Sequence, residues 1–258
     1  MSGGGLMLKR FESKLVLITG AAGGMGQAFA RRFAAEGASL IMTDVEENGL
    51  EHAAAALRAQ GASCSTHRID LAVESEIHEL AAQLSARHGQ LDVLINNAGL
   101  AYGEVAHSFE TLSQAKWLRF LSINTVAPLL LAQALRAPLA KARGAVVNIS
   151  SMASYVPATA YGVTKAALNA MTFGMANVFG GDGIRVNAIA PGVMETPASR
   201  AHLPPGTYER IQSQQVLKLD GTAEDIAALA AFLASEDARF ITCEVVSCDA
   251  GNRMRGWR

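Results

Sequence analysis

Cysteine is scarce in this chain. Its 258 residues include only Cys64, Cys243 and Cys248, and no two of them form a Cys-x-x-Cys pair. An odd number without paired spacing argues against a disulfide framework or a zinc site, and it suits a reducing cytoplasm. The six histidines form no His-Glu-x-x-His pattern. We therefore expect no metal.

Charge is also scarce, and long hydrophobic runs are absent. Charged residues make up 17% of the chain, the net charge is -1, and no Lys/Arg cluster forms a basic stripe. This argues against a nucleic-acid partner. The most apolar run, residues 126–135, is much shorter than the roughly 20 residues that span a bilayer. The first ten residues lack the apolar core of a secretory signal. The sequence thus predicts a cytoplasmic protein without a nucleic-acid or membrane partner.

What the sequence does contain is an alternation of short apolar runs with longer helical patterns. Half of its residues are hydrophobic, which is enough for one large core. The alternation predicts an α/β fold, a single-domain Rossmann-type doubly wound parallel sheet with helices on both faces, over residues 1–258. The predicted strands are 15–19, 39–43, 63–69, 93–96, 145–150, 184–190 and 245–247. The predicted helices are 25–36, 47–59, 74–88, 113–135, 159–178 and 223–234.

One segment breaks this alternation. Residues 196–219 contain Pro197, Pro204, Pro205 and Gly206, and the segment is long for a connection within a compact domain. Segments of this kind often cover a binding site. We expect a substrate lid here, with a plain surface loop as the alternative.

A glycine-rich turn follows the first predicted strand. Residues 19–26, Thr-Gly-Ala-Ala-Gly-Gly-Met-Gly, lead into a predicted helix. Glycines let backbone N–H groups approach a pyrophosphate, and the helix N-terminus favours its negative charge. Asp44 ends the next strand, where a carboxylate can accept hydrogen bonds from the ribose of NAD and repel the 2′-phosphate of NADP. NAD is therefore the expected cofactor, although Asp44 is also a candidate N-cap for a helix near Glu46.

Tyr161 and Lys165 are spaced to lie one helical turn apart on the same helix face. A phenol has an ordinary pKa of about 10, which makes it a poor acid–base group near neutrality. A lysine charge four residues away favours the phenolate, so we expect it to lower the pKa of Tyr161. Alone, the pair is equally compatible with an ordinary amphipathic helix that carries one surface lysine.

Several short motifs follow one another along the chain. In chain order they are the TGxxxGxG turn at 19–26, NNAG at 96–99, Asn124, Ser150-Ser151, YxxxK at 161–165, and Pro191-Gly192 with Thr196 downstream. Each motif is short, but together they are highly specific. Their order makes the chain resemble the short-chain dehydrogenase/reductase family over nearly its whole length.

The resemblance implies a role for each matching residue. Tyr161 is expected to be the general acid/base, and Lys165 to hold the nicotinamide ribose while tuning the phenol. Ser151 is expected to hydrogen-bond the substrate oxygen, and Asn124 to hold a water that relays protons. The cofactor would be bound by Gly20, Gly23, Gly24, Met25, Gly26, Asp44, Val45, Asp70, Leu71, Asn97, Ala98, Gly99, Tyr161, Lys165, Pro191, Gly192, Val193 and Thr196.

The chain departs from the family pattern in two places. Ser151 is only ten positions before Tyr161, so the intervening loop is shorter than usual and Ser150 stays an alternative as the catalytic serine, although a strand-end hydroxyl there often bonds the backbone. Cys243 stands where relatives usually carry glycine, just before the last strand. We expect it to be structural rather than reactive.

Residues adjacent to the motifs are expected to face the substrate, and they are mostly apolar or aromatic. Tyr155 is as compatible with core packing as with a pocket wall, and His202 in the lid is expected to face solvent. No arginine is placed to hold a carboxylate, which favours a neutral substrate. The predicted substrate residues are Ser151, Met152, Tyr155, Tyr161 and Met194, with Leu100, Tyr102 and Val193 beside them.

The sequence thus predicts an NAD(H)-dependent oxidoreductase that transfers hydride between the nicotinamide and a secondary alcohol or ketone. Two alternatives stay open. One is a 3-oxoacyl-thioester reductase, and the other is a non-catalytic NAD-binding sensor or scaffold. Relatives commonly form dimers or tetramers through their long helices, so we expect a homo-oligomer, a tetramer first of all. Residues 124–135 and the tail 252–258 offer apolar surface for this.

Overall fold

Seven parallel strands form one sheet in the part of the chain described by the computed structural model, residues 9–106, 109, 112–203 and 205–252. The strand order is β3-β2-β1-β4-β5-β6-β7, which confirms the predicted doubly wound parallel sheet. Apart from the polar edge strand β3, the strands are rich in Val, Ile, Leu and Ala, as expected for a sheet covered on both faces. Their bounds are β1 Leu15–Thr19, β2 Ser39–Asp44, β3 Cys64–Arg68, β4 Val93–Asn96, β5 Ala145–Ile149, β6 Arg185–Pro191 and β7 Val245–Cys248.

Helices cover both faces of this sheet. No single helix of the described residues is long and apolar enough to cross a membrane. Two helical segments, Gln114–Ala134 and Arg136–Ala142, reach that length and composition only when they are counted together, and the chain bends by 64° between them. The helices are α1 Gly24–Ala35, α2 Glu47–Ala59, α3 Glu74–His88, α4 Gln114–Leu121, α5 Ala127–Ala134, α6 Arg136–Ala142, α7 Ala160–Phe179, α8 Pro197–His202, α9 Thr207–Ser213 and α10 Ala223–Ala234.

The core has two layers, one on each side of the sheet. Phe29 and Phe33 of α1 pack with residues of α2 and α10 on one side. Leu84 of α3, Leu131 of α5 and Phe179 of α7 pack together on the other. All five side chains are buried. The sheet is therefore held between two apolar layers, which fixes the loops at the carboxyl ends of its strands.

The strand order reverses between β1 and β4, and this reversal positions the site. In open α/β sheets the loops on either side of such a point diverge and leave a crevice. Here the two loops are tied together. The Thr19 hydroxyl accepts hydrogen bonds from the backbone N–H groups of Asn97 and Ala98, both at 3.0 Å. The Asn97 amide donates to the carbonyls of Thr19 and Gly20 at 2.9 and 3.1 Å.

The predicted continuous helix over 113–135 is wrong. The segment is α4, a π-helical turn at Ser122–Val126, and α5. Two consecutive residues in the turn bond to α7: Asn124 Nδ2 donates to Thr164 Oγ1 at 3.0 Å, and the Thr125 hydroxyl donates to the Thr164 carbonyl at 2.9 Å. The extra residue per turn lets both polar side chains face α7. Helix α6 was not predicted either.

The segment predicted as a lid, 196–219, contains the two short helices α8 and α9. Thr196 is the N-cap of α8, and its hydroxyl accepts a hydrogen bond from the backbone N–H of Ser199 at 3.0 Å. At the start of α10, Thr222 and Asp225 form a capping box, in which the Asp225 carboxylate accepts a hydrogen bond from the Thr222 backbone N–H at 2.8 Å.

Candidate active site

The glycine turn between β1 and α1 is shaped by close backbone contacts. Gly20 has a φ of +66°, and a Cβ there would lie 2.9 Å from the Ala98 Cα. A Cβ on Gly26 would lie 2.1 Å from the Gly20 carbonyl oxygen, so helix and turn pack too closely for any side chain. Helix α1 begins at Gly24 without a side-chain cap or an acidic residue in its first turn. Its free N–H groups therefore fit a pyrophosphate.

Asp44 lies at the end of β2 with its carboxylate beside this turn. Its Oδ2 accepts a hydrogen bond from the Ala22 backbone N–H at 2.9 Å, and its Oδ1 accepts one from Glu46 at 3.0 Å. The alternative of Asp44 as a helix N-cap is wrong, because Glu46 is the N-cap of α2. None of the ion pairs between described residues involves Asp44.

The remaining predicted cofactor residues follow the same edge of the sheet. Asp70 and Leu71 come after β3, where the Asp70 carboxylate accepts a hydrogen bond from the Ala72 N–H at 2.9 Å. Gly192 follows β6 and must be glycine, since a Cβ would lie 2.8 Å from the Asp249 Cα. With the turn after β1, Asp44 and the loop after β4, these residues form one continuous rim along the carboxyl ends of the strands.

The two serines after β5 have different surroundings. The Ser150 hydroxyl donates to the Lys165 backbone carbonyl at 3.4 Å, as expected for a strand-end hydroxyl bonded to the backbone. The Ser151 hydroxyl accepts a hydrogen bond from the Ala153 N–H at 3.1 Å and forms a hydrogen bond with the Tyr161 phenol. The geometry therefore favours Ser151 as the serine that faces the phenol.

Lys165 and Asn124 meet at Gly99. Lys165 is only 4% exposed, and its Nζ donates to the Ile149 carbonyl at 2.7 Å. The Asn124 side chain is held by Leu100, whose N–H donates to Oδ1 at 2.7 Å and whose carbonyl accepts from Nδ2 at 2.9 Å. A Cβ on Gly99 would lie 3.2 Å from Asn124 Oδ1 and 3.4 Å from Lys165 Nζ. Glycine at this position thus leaves space beside both the amide and the ammonium.

Burial dominates the pKa of both helix residues. It raises the pKa of Tyr161 to about 12, although the hydrogen bond with Ser151 acts in the opposite direction. It lowers the pKa of Lys165 to about 8. The predicted lowering of the Tyr161 pKa by Lys165 is therefore wrong. The Lys165 Nζ donates to the Ile149 carbonyl and lies 5.7 Å from the centre of the Tyr161 ring. Desolvation of the phenol outweighs the favourable contacts.

The predicted substrate residues divide into two groups. Met152 directly follows Ser151 in a 3₁₀ turn and so stays near the phenol. Tyr155 packs against β6 and β7, and its hydroxyl lies 3.0 Å from Ser247 Oγ. Met194 is buried in the core beside α10, where its Cε would contact a Cβ on Gly221. The described contacts of Tyr155 and Met194 are thus with the body of the domain.

Sequence reasoning missed one contact at the mouth of the site. The Tyr102 ring, in the loop after β4, stacks on His202, the last residue of α8, with 5.1 Å between ring centres and 28° between planes. Tyr102 lies close enough to Tyr161 that its charge would raise the Tyr161 pKa. His202 is exposed, as predicted, but one side of its ring is engaged in this stack. No sequence motif joins the two residues, which are 100 positions apart, so only the fold reveals the pair.

The fold and this rim define a dinucleotide-binding protein, and comparison with known proteins identifies its family. A family model described as Enoyl-(Acyl carrier protein) reductase matches residues 20–253. Meso-2,3-butanediol dehydrogenase of Serratia marcescens is 32% identical over 245 residues, which cover 94% of this chain and 95% of that protein.

Two solved structures show the same likeness. A 7α-hydroxysteroid dehydrogenase in complex with NADH and 7-oxo glycochenodeoxycholic acid has a TM-score of 0.87 at 28% identity, covering 95% of this chain and 96% of its own. A blue fluorescent protein from a metagenomic library, in complex with NADPH, has a TM-score of 0.83 at 30% identity, covering 94% and 98%. The chain belongs to the short-chain dehydrogenase/reductase family and is an oxidoreductase with a nicotinamide cofactor.

Proposed function

We propose that this protein is an NAD(H)-dependent oxidoreductase that interconverts a secondary alcohol and a ketone, with Tyr161 as the general acid/base. The observation that carries the proposal is the Tyr161 phenol, hydrogen-bonded to Ser151, with the buried ammonium of Lys165 one helical turn away. A phenol can transfer a proton at a carbinol oxygen, and a neighbouring hydroxyl can hold that oxygen by a hydrogen bond. The relatives named above are a butanediol and a hydroxysteroid dehydrogenase, in keeping with such a substrate.

In this mechanism the bound nicotinamide would supply or accept the hydride at the substrate carbon. The chain's own residues handle the proton. During ketone reduction Tyr161 donates its hydroxyl proton to the carbonyl oxygen, and during alcohol oxidation it takes the proton of the alcohol. Ser151 donates a hydrogen bond to the same oxygen and holds it beside the phenol. Lys165 and Asn124, which both lie beside Gly99, would hold the ribose and a relay water respectively.

NAD is the proposed cofactor because of Asp44. Its carboxylate is fixed by two backbone N–H groups at the edge of the glycine turn. There it is positioned to accept hydrogen bonds from the adenosine ribose and to repel a 2′-phosphate. The neighbours with bound cofactor include one with NADH and one with NADPH, so the choice rests on this residue. The substrate is proposed to be neutral, since Tyr102, Ser151 and Met152 offer no charge to a carboxylate.

A second candidate is reduction of a 3-oxoacyl thioester. It is favoured by the description of the matching family model, which names an acyl-carrier-protein substrate. The same phenol and hydroxyl would serve that reaction, because the reduced group is again a ketone. Asp44 argues against this second candidate, because such reductases usually depend on NADPH and Asp44 favours NAD.

The test is steady-state turnover with both cofactors on a panel of substrates. The panel contains short and cyclic secondary alcohols, the matching ketones, and an acetoacetyl thioester. The proposal expects turnover of at least one neutral alcohol or ketone with NAD(H), and weaker turnover with NADP(H). Turnover of the thioester alone would establish the second candidate. Tight binding of NADH without turnover on any substrate would contradict both and would support a non-catalytic NAD-binding protein.

We also propose a homo-oligomer, with a tetramer as the first expectation. Leu118 of α4 and Val178 of α7 are about three-fifths exposed, and Phe173 of α7 is two-fifths exposed. Large apolar side chains exposed on helices such as α4 and α7 are typical of a subunit interface. The prediction that residues 124–135 offer apolar surface is wrong for most of that segment, which is buried within the chain. The tail predicted to contribute, residues 252–258, lies outside the described residues after Asn252.

A further inference from the structure

Tyr102 connects two segments that lie far apart in the sequence. Its loop is fixed at the base, because Leu100, two residues earlier, makes two backbone hydrogen bonds to the Asn124 side chain. Its ring stacks on His202 at 5.1 Å. Tyr102 is 38% exposed, so one part of the ring is engaged and another part is accessible.

On the lid side, Tyr102 contacts both ends of α8. The Thr196 hydroxyl forms a hydrogen bond with the Tyr102 phenol at the N-cap, while His202 is the last residue of the helix. The helix itself is fixed at its start, where the Ser199 hydroxyl donates to the Met194 carbonyl at 2.7 Å. One tyrosine side chain therefore ties the whole of α8 to the loop after β4.

The contact between Tyr102 and α8 lies close to the Tyr161 phenol. The Tyr161 ring packs in the small apolar cluster of Val105, Phe120 and Ala160, to which Leu100 also belongs. Tyr102, two residues after Leu100, is near enough to act electrostatically on the Tyr161 phenol. A substrate whose oxygen lies between Ser151 and Tyr161 thus has Tyr102 within reach of its carbon skeleton.

We propose that Tyr102 is a positioning and specificity residue for the substrate. Together with His202 it holds α8 over the site, and its ring forms the wall against which the substrate skeleton packs. The proposal rests on the function proposed above and deepens it. Because an aromatic side chain buries a large apolar area, this wall favours an alicyclic or similarly bulky neutral alcohol over a short aliphatic one.

Kinetics with cyclohexanol and 2-propanol as probes test this assignment. An aromatic pair contributes about 0.5–1.5 kcal/mol, which corresponds to about 2- to 12-fold in affinity. Tyr102→Ala should therefore raise the KM for cyclohexanol by about that factor, with a smaller change in kcat and little effect on the KM for 2-propanol. Tyr102→Phe keeps the stack on His202 but loses the hydrogen bond with Thr196. Its KM for cyclohexanol should therefore lie between those of Tyr102→Ala and the wild type.

A double-mutant cycle tests whether the two rings act together. His202→Ala should reproduce the KM effect of Tyr102→Ala, and the double variant should be no worse than either single one. His52→Ala, an exposed histidine on α2, is the matched control and should behave as wild type. Additive effects, or an equal fall in kcat for both alcohols, would overturn the proposal and assign Tyr102 to general stability or to hydride transfer.

Limited trypsin cleavage gives a readout that does not depend on turnover. Arg210 and Lys218 are exposed within the lid, so release of α8 should speed cleavage there. We expect faster cleavage in Tyr102→Ala and His202→Ala than in wild type or His52→Ala. If cleavage responds but no alcohol is turned over, the tie stands and the proposed function fails. If alcohols are turned over and neither KM nor cleavage responds, the tie is refuted.

Discussion

Replacing Lys165 with methionine should change how the stability of the cofactor-free protein depends on pH. The Lys165 ammonium is buried, donates to the Ile149 carbonyl, and has a pKa lowered by burial from the usual 10.5 to about 8. Between pH 8 and 10.5 the unfolded chain therefore binds a proton at this site that the folded protein has lost. The free energy of unfolding must therefore rise with pH across this window. Below pH 8 the folded protein bears the full destabilisation by the buried ammonium.

The size of the effect follows from these two pKa values. Raising the pH from about 7 to about 9.5 should stabilise the wild type by roughly 2 kcal/mol through this one group. Methionine has a similar length and no charge, so Lys165→Met should lack this increment. It leaves the Ile149 carbonyl without its donor, at a cost of about 1–3 kcal/mol, but that cost does not change with pH.

The assay is urea unfolding at several pH values between 7 and 9.5, at one protein concentration. Wild type, Lys165→Met and Lys141→Met are compared, the last being an exposed lysine on α6 that serves as the control. The difference in unfolding free energy between wild type and Lys165→Met should move by about 2 kcal/mol over this range, while Lys141→Met follows the wild type. Equal pH slopes in wild type and Lys165→Met would show that the buried ammonium carries no such penalty.

Three further predictions concern cofactor choice, backbone strain and assembly. Asp44→Ala should reduce the preference for NAD over NADP in kcat/KM by about fivefold to nearly a thousandfold, as expected for removal of about 1–4 kcal/mol of charge repulsion. Comparable use of both cofactors by the wild type would refute the role of Asp44. Cys243 has a φ of +64°, which strains any residue except glycine. Thermal unfolding should therefore show Cys243→Gly to be more stable than the wild type by about 0.5–1 kcal/mol. A Cys243→Gly variant no more stable than Cys243→Ala would contradict this strain. Light scattering at micromolar concentration should give the mass of a tetramer, and a monomer would exclude the proposed assembly.

The sheet could be predicted because its strands are short apolar runs bounded by glycine and polar residues. The run Leu-Val-Leu-Ile before the glycine turn is an example, and β1 has the predicted bounds. The position of Cys243 was also informative. The family resemblance leads one to expect glycine there, and the positive φ of Cys243 supplies a physical reason for that expectation.

Local sequence patterns could not predict features that depend on tertiary contacts. The π-helical turn at Asn124 arises from hydrogen bonds to Thr164, 40 positions away. The raised pKa of Tyr161 arises from burial, which the spacing of Tyr161 and Lys165 does not encode. The tie between Tyr102 and His202 joins two segments only after the sheet has formed. Each error concerned a residue whose surroundings come from another part of the chain.

Turnover of Tyr161→Phe tests the central proposal most directly. The substitution removes one hydroxyl and keeps the ring that packs in the cluster of Val105, Phe120 and Ala160. The measurement pairs NAD(H)-dependent turnover, on an alcohol or ketone that the wild type uses, with NADH affinity by fluorescence titration. We predict a fall in turnover of about 10²-fold or more with NADH affinity retained. Turnover close to that of the wild type would remove Tyr161 from the mechanism.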